Sequence, residues 1–107
     1  MGSSESYSLV YAAAVQEHLR AIEPKYHSLI RDKIIEQLSF EPNRESNNRK
    51  PLQQPVELAA TWELRFGPTN RFRVFYEIDD QSRQVQIVAI GVKLRNRLRI
   101  GRQEVEL

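Results

Sequence analysis

Alternating apolar and polar residues between positions 62 and 92 predict three neighbouring β-strands. The first two runs, 62–66 and 71–79, flank a turn sequence at 67–70, and the third run, 84–92, follows a second turn. Successive side chains of a strand point to opposite faces of a sheet. If the first two strands pair apolar with apolar, one face carries Trp62, Leu64, Phe66, Phe72, Val74, Tyr76 and Ile78. The opposite face then carries Glu63, Arg65, Arg71, Arg73 and Glu77.

The N-terminal part of the chain predicts a short strand followed by two helices. Residues 6–12 have the composition of a strand, although they could instead open the helix that follows. Apolar residues at 15, 19 and 22 have helical spacing, and Pro24 interrupts that helix because it lacks an amide N–H. A second helix is predicted from Pro24 to about Leu38, with apolar residues every four positions. The apolar stripes of this helical hairpin need a sheet to cover them.

The remaining segments are less regular. The polar, proline-bounded stretch 41–51 predicts a surface loop, and 57–60 predicts a short lead into the sheet. Residues 93–99 fit a helical turn, but the alternation around Gly101-Arg102 favours a small terminal hairpin with a type II′ turn. We therefore expect one α+β domain over residues 1–107, with an N-terminal strand and helical hairpin packed on a twisted antiparallel sheet.

Composition excludes several classes of function. The 107 residues include no cysteine, so there is no disulfide framework, thiol nucleophile or zinc–thiolate site. No apolar run approaches the roughly 20 residues that span a bilayer, and no signal peptide is visible, so we expect a cytoplasmic protein. Neither His18 nor His27 has a partner at ligand-like spacing, and Asp79-Asp80 fits turn chemistry. We expect no metal and no cofactor.

The chemistry that remains is cationic. Guanidinium groups stay charged and present a planar fork to phosphate oxygens, so they bind nucleic acid or stabilise the transition state of RNA cleavage by its own 2′-hydroxyl. The alternative is that Arg65 and Arg73 pair with Glu63 and Glu77 as ordinary cross-strand charge pairs. Residues 91–102 contain five basic residues and no acid, and we call them the C-terminal tract. Phe75 lies on the same face as the arginines, where it could stack on a base or pack beneath the C-terminal tract. The predicted nucleic-acid contacts are Arg71, Phe75, Arg95, Arg97 and Arg102.

The order of elements and the motifs Trp62-Glu63-Leu64-Arg65 and 71–79 (RFRVFYEID) resemble the RelE/ParE toxins of bacterial toxin–antitoxin pairs. Those toxins carry a Leu-Arg, a turn, and a strand with an aromatic-Arg-apolar-apolar-Tyr pattern. The resemblance covers residues 6 to 99. It implies a cognate antitoxin that wraps and neutralises the toxin. We therefore expect a toxin that inhibits translation by metal-free, ribosome-dependent cleavage of mRNA, as the RelE branch implies. The alternative is a non-catalytic or gyrase-directed member that acts by protein binding, as the ParE branch implies.

The resemblance also implies site residues. Arg73 matches the central-strand arginine that stabilises the phosphate, and Arg65 matches a basic position of the preceding strand. Lys93, two residues after Gly91, stands where the nuclease branch has an arginine, and Arg99, eight residues after Gly91, stands where that branch has a tyrosine. The implied catalytic set is Arg65, Arg73, Lys93 and Arg99. Arginine is a poor proton shuttle near neutral pH, so this departure leaves open a non-catalytic member of the superfamily that acts by protein binding. An Arg73→Ala change is expected to abolish toxicity and leave the fold intact.

Overall fold

The computed structural model describes residues 6–52 and 59–105, and a seven-stranded sheet forms the centre of that part. The elements are β1 (Ser8–Tyr11), α1 (Val15–Arg20), α2 (His27–Leu38), β2 (Arg49–Pro51), β3 (Trp62–Phe66), β4 (Phe72–Asp79), β5 (Gln84–Leu94), β6 (Arg97–Ile100) and β7 (Gln103–Val105). Strands β2 to β7 are neighbours in chain order and antiparallel. Strand β1 pairs with β5 in parallel, which the predicted all-antiparallel sheet did not include. The mixed α/β class is confirmed.

The register of β3 and β4 pairs apolar with apolar, as predicted. Leu64 lies opposite Val74, and on the same face Trp62 lies opposite Tyr76 and Phe66 opposite Phe72. These side chains form one buried cluster with Ile30, Ile34 and Leu38 of α2. We call the side of the sheet beneath α1 and α2 the helix face. Full burial of an aliphatic side chain contributes about 1.5–3 kcal/mol, so this cluster is the main source of stability.

The alternation of side chains along β5 is interrupted once, so that different positions point to the helix face before and after the interruption. Ile87 lies opposite Tyr76, and Ile90 lies opposite Val74. Between these two pairs the chain advances three positions along β5 but only two along β4. The register shift falls between Phe75 and Tyr76 of β4. An extra residue of this kind is a β-bulge, which bends the strand and increases its twist. Simple alternation over 84–92 does not predict it.

A short turn joins the two helices, as the interruption at Pro24 predicts. A 3-10 turn, Pro24–Tyr26, separates α1 from α2. Nε2 of His27 lies 2.8 Å from the carbonyl oxygens of both Leu19 and Ile22, at the end of α1. Since both partners are acceptors, Nε2 carries the proton and donates. His27 therefore satisfies carbonyls that a helix end leaves without intrahelical partners.

The loop predicted at 41–51 ends in a strand, and for its last three residues the prediction is wrong. Strand β2 pairs with β3, and Nη1 of Arg49 donates to Oε1 of Gln37 at 2.6 Å. The hydroxyl of Tyr76 donates to the carbonyl of Pro42 at 2.8 Å. The polar composition concealed the strand, which satisfies backbone groups on the outer side of β3. Part of the predicted lead into the sheet, and all of 53–58, lies outside the described residues.

The C-terminal residues form the predicted hairpin. Strands β6 and β7 are antiparallel, and Ile100 lies opposite Gln103 across a two-residue turn. Gly101 has a φ of 63°, the sign that a type II′ turn requires at its first position. Separately, none of the helices in the described residues is both long and apolar enough to cross a bilayer.

Candidate functional site

Cationic side chains gather on the side of the sheet opposite the helix face. We call this side the arginine face, and by strand register it carries Lys50, Glu63, Arg65, Arg73 and Lys93. Arg65 and Arg73 lie directly opposite each other on β3 and β4. Like charges in that arrangement destabilise a sheet unless an opposite charge lies between them. The sequence places these cations correctly, but it does not show how their repulsion is relieved.

Glu63 supplies the opposite charge for both arginines. Its Oε1 lies 2.8 Å from Nε of Arg65, and its Oε2 lies 3.1 Å from Nη1 of Arg73. The Glu63 side chain is only 4% exposed. Of the two interpretations left open by the sequence, the charge-pair interpretation describes these arginines, although one acid serves both. Glu77 accepts a hydrogen bond from the Thr61 hydroxyl at 2.7 Å.

Arg73 is a buried residue. Its side chain is 9% exposed, and its Nε donates to the carbonyl of Asn70 at 2.9 Å, in addition to the Glu63 contact. Removal of one partner from a buried ion pair destabilises a fold by about 3–5 kcal/mol, because the other charge remains buried. The expectation that Arg73→Ala leaves the fold intact treated Arg73 as an exposed residue, and we replace it with an expected loss of stability.

Arg65 is more accessible, and its backbone is fixed from β2. The Arg65 side chain is 39% exposed. The side-chain amide of Asn48 donates to the Arg65 carbonyl at 2.8 Å, and the Arg65 N–H donates to the Asn48 carbonyl at 2.8 Å. Arg65 thus forms the solvent-facing side of the pair of guanidinium groups that Glu63 holds.

Lys93 lies near the start of β4. It is half-buried, and its backbone N–H donates to the carbonyl of Arg71 at 2.7 Å. Nε of Arg71 is buried without a hydrogen-bond partner in the described part of the chain. Because Arg73 lies opposite Gly91, Lys93 is its diagonal neighbour across β4 and β5. Three of the four predicted catalytic residues therefore share the arginine face.

Arg99 does not join them. It lies opposite Val92, which packs against the helix-face cluster, so Arg99 is on the other side of the sheet from Arg73. Counting residues after Gly91 does not predict this, because the two-residue turn at Arg95-Asn96 reverses the chain. After the turn, Leu98 points to the side that Lys93 occupies, and Arg99 points away from it. The placement of Arg99 in one catalytic set with Arg73 is corrected accordingly.

The predicted nucleic-acid contacts also fall in different places. Phe75 is fully buried and packs with Ala89, Leu98 and Ile100, so it has no face available for a base. Packing beneath the C-terminal tract, the other interpretation, describes its position. The exposed arginines are Arg95 in the turn between β5 and β6, Arg97 on β6 and Arg102 in the turn between β6 and β7. Arg97 lies 3.9 Å from Glu104.

Gly91 allows the C-terminal hairpin to approach Phe75. A Cβ atom at position 91 would lie 2.9 Å from the carbonyl oxygen of Arg99 and 3.0 Å from Cγ1 of Ile100. Both distances are closer than ordinary van der Waals contact. The sequence-based interpretation used Gly91 only as the position from which Lys93 and Arg99 were matched to the family. The small residues at 89 and 91, on the same side as Phe75, were the signal that another strand comes close.

Tyr76 and the two histidines lie away from the arginine face. Burial raises the pKa of Tyr76, which points to the helix face and donates to Pro42. Burial lowers the pKa of His18, and its Nδ1 accepts the N–H of Ile90 at 3.2 Å. Both histidines were expected to be surface or half-buried polar residues, and both are half-buried. Within 6–52 and 59–105, no three side chains of metal-ligating type come together.

Comparison with known proteins identifies a structural relative. A chain of the toxin–antitoxin complex RelBE2 from Mycobacterium tuberculosis is similar in structure, with a TM-score of 0.68 and 26% sequence identity. The similarity covers 87% of this chain and 98% of that chain. No protein-family model matches this chain, and no curated protein sequence matches it. The resemblance to RelE-superfamily toxins that the sequence indicates is confirmed by this likeness.

Proposed function

We propose that this chain, a RelE-superfamily toxin by its structural likeness, is the toxin member of a toxin–antitoxin pair and binds a cognate antitoxin. The likeness supports this function, because the similar chain belongs to a toxin–antitoxin complex and is covered almost from end to end. The match therefore includes the whole folded unit of that relative rather than one supersecondary motif.

A surface groove supports binding of a peptide partner. It has a volume of about 320 Å³ and lies between the two helices and β5, where it is lined by Tyr11, Leu19, His27, Ile30, Ile34 and Ile90. Tyr11 is 44% exposed at the end of β1. Ile30, Ile34 and Ile90 are each 1% exposed, so the accessible part of the lining comes from Tyr11, the half-buried Leu19 and the exposed Arg31. An antitoxin segment with apolar side chains fits this chemistry.

We further propose that the toxin acts by binding a protein target rather than by cleaving RNA. The observation that carries this proposal is the Glu63 carboxylate between Arg65 and Arg73. A cation that stabilises a phosphate in the transition state must direct its donors at that phosphate. Here one donor of each arginine is directed at a buried carboxylate, and Nε of Arg73 is directed at a carbonyl.

The positions of Tyr76, His18 and His27 support the same function. Cleavage through the 2′-hydroxyl of RNA needs a group that accepts a proton and a group that donates one. The four tyrosines and two histidines are all in the described part of the chain. The hydroxyl of Tyr76 donates a hydrogen bond to the Pro42 carbonyl. The His27 imidazole donates to the Leu19 carbonyl, and the His18 imidazole accepts the N–H of Ile90. Arg99, which stands at the position of the nuclease tyrosine, faces away from Arg73.

Ribosome-dependent mRNA cleavage is the second candidate function. It is favoured by the cations on the arginine face, where Lys50 and Lys93 add to the two arginines, although Glu77 joins Glu63 on that face by strand alternation. Positive charge of this kind attracts RNA phosphates. In this alternative, the partners besides the antitoxin are the ribosome and mRNA.

A growth assay combined with mapping of mRNA ends separates the two candidates. The chain is induced in a bacterial host, and the purified protein is added to cell-free translation followed by primer extension. We expect growth arrest in cells and unchanged mRNA ends in the translation reaction. Normal growth despite accumulation of folded protein contradicts toxin function.

New mRNA ends inside translated codons establish the nuclease instead. Those ends should then disappear with Arg73→Lys, which keeps the charge but loses the planar fork. They should persist with Arg20→Lys, a matched change at an exposed position of α1.

A further inference from the structure

We infer that Glu63 occupies an oxyanion-binding site, and that replacing its carboxylate opens this site to the phosphate groups of RNA. Arg65 and Arg73 each direct one N–H at a different oxygen of the same carboxylate. Two guanidinium groups that converge on two oxygens of one anion are also suited to two oxygens of a phosphate. Glu63 is thus the specificity-determining residue that keeps phosphate away from Arg73.

The register of three strands explains why this site requires an anion. Glu63 lies between Lys50 on β2 and Phe75 on β4, and Arg65 lies directly opposite Arg73. Without a negative charge at position 63, Arg65 and Arg73 are close together and repel one another, while Lys50 keeps its contact with Glu45 at 3.7 Å. The repulsion is relieved by an anion from solution once the internal carboxylate is absent.

Burial explains why the unmodified site rejects phosphate. Glu63 is 3% exposed and Arg73 is 7% exposed, so water screens their interaction poorly. An incoming phosphate would have to displace a desolvated carboxylate and would be repelled by it. Arg65 keeps 39% of its side chain exposed, so solvent reaches the site from that side once Glu63 is neutral.

The test compares two variants that lose the same charge. Glu63→Gln removes the carboxylate from the site and keeps an amide of the same shape. Glu77→Gln makes the same change on β4, at a carboxylate that accepts a hydrogen bond from Thr61. Binding of a fluorescently labelled single-stranded RNA oligonucleotide is followed by anisotropy over a range of salt concentrations.

We expect Glu63→Gln to bind the RNA about tenfold more tightly than Glu77→Gln, with a salt dependence steeper by about one phosphate contact. Adding Arg73→Gln to Glu63→Gln should remove this gain. Equal affinities of the two single variants overturn the assignment, because net charge alone then explains binding.

A thermal-shift measurement covers the case in which Glu63→Gln folds poorly. Inorganic phosphate should raise the melting temperature of Glu63→Gln, or restore its folding, and should leave Glu77→Gln and the unmodified protein almost unchanged. Stabilisation by phosphate without a gain in RNA affinity limits the site to free anions and contradicts the RNA assignment. No stabilisation by either ligand overturns the site itself. Because these measurements use purified protein alone, they are independent of growth arrest and of mRNA cleavage.

Discussion

Leu64 and Val74 are fully buried beneath the helices on one face of the sheet, whereas the adjacent residues Glu63 and Arg73 are buried on the other face as an ion pair. The two faces are built from the same strands, so strand geometry alone does not explain the difference. Apolar burial is non-directional and tolerates many partners. A buried charge is stable only with a specific partner at hydrogen-bond distance. The helix face therefore depends on volume, and the arginine face depends on a few contacts.

This difference bears directly on function. Arginines on a sheet surface suggest a phosphate site when only their positions are known. Once their partners are known, Arg73 is a residue whose donors are already directed at Glu63 and Asn70. The groove beside the helices, proposed above as the antitoxin site, does not involve these contacts.

The largest expected effect comes from aromatic truncation on the helix face. Phe72 is 1% exposed, with ring centroids 5.1 Å from Tyr26 and 5.7 Å from Phe66. Phe72→Ala should lower the free energy of unfolding by about 3–5 kcal/mol, because it removes apolar contacts and leaves a cavity. Urea denaturation measures the loss.

Phe75→Ala provides the matched change on the arginine face. Because Phe75 is also fully buried, a loss of about 3 kcal/mol is expected. A loss below about 0.5 kcal/mol is typical of an exposed side chain and would show that Phe75 is available to a base.

A smaller effect is expected from adding one methyl group at Gly91. Gly91→Ala brings a Cβ to 2.9 Å from the Arg99 carbonyl and 3.1 Å from Cδ1 of Leu98. Overpacking of this kind costs about 1–3 kcal/mol, and the terminal hairpin should move away from Phe75. Thermal unfolding measures the cost, with Gln86→Ala at an exposed position of the same strand as the control. Equal melting temperatures of the two variants would contradict the close approach of β5 and β6.

The smallest effect is the pH dependence that His18 contributes. Burial lowers its pKa below the usual value of 6.5, and the nearby Glu17 acts in the opposite direction. As the pH falls, the unfolded chain therefore binds the proton before the folded protein does. The stability from neutral His18 is complete above about pH 6.5 and decreases at lower pH, where protonated Nδ1 no longer accepts the N–H of Ile90.

Urea denaturation at about pH 7.5 and about pH 5.5 measures this dependence. His18→Gln keeps an acceptor for Ile90 and does not titrate, so its stability should change less between the two conditions. An equal change in both proteins would assign the pH dependence to other groups.

The sequence predicts the helix face well and the arginine face only in outline. Alternation specified the register of β3 against β4, because a slip by one residue would expose Leu64 and bury Arg65. The same alternation put Glu63 and Arg73 on one side. It could not show that a single carboxylate would hold two guanidinium groups, because rotamers and distances decide that.

Two features of the sheet could not be predicted from alternation, because each of them reverses the face to which the following residues point. The bulge in β5 moves the helix-facing series from Ile87 to Ile90, and the turn at Arg95-Asn96 turns Arg99 away from Lys93. Neither has a strong sequence signal, since the residues at the bulge are as apolar as their neighbours. The spacing of the family motif therefore predicted Arg99 beside Arg73, whereas the strand register places it on the opposite side of the sheet.

The most direct test of the account is a double-mutant cycle between Glu63 and Arg73. The free energy of unfolding is measured for the unmodified protein, Glu63→Gln, Arg73→Gln and the double variant. We predict a coupling of about 2 kcal/mol, because each single change leaves one buried charge without its partner and the double change removes both charges. Additive effects within about 0.5 kcal/mol would contradict the pairing and return Arg73 to the candidates for RNA catalysis.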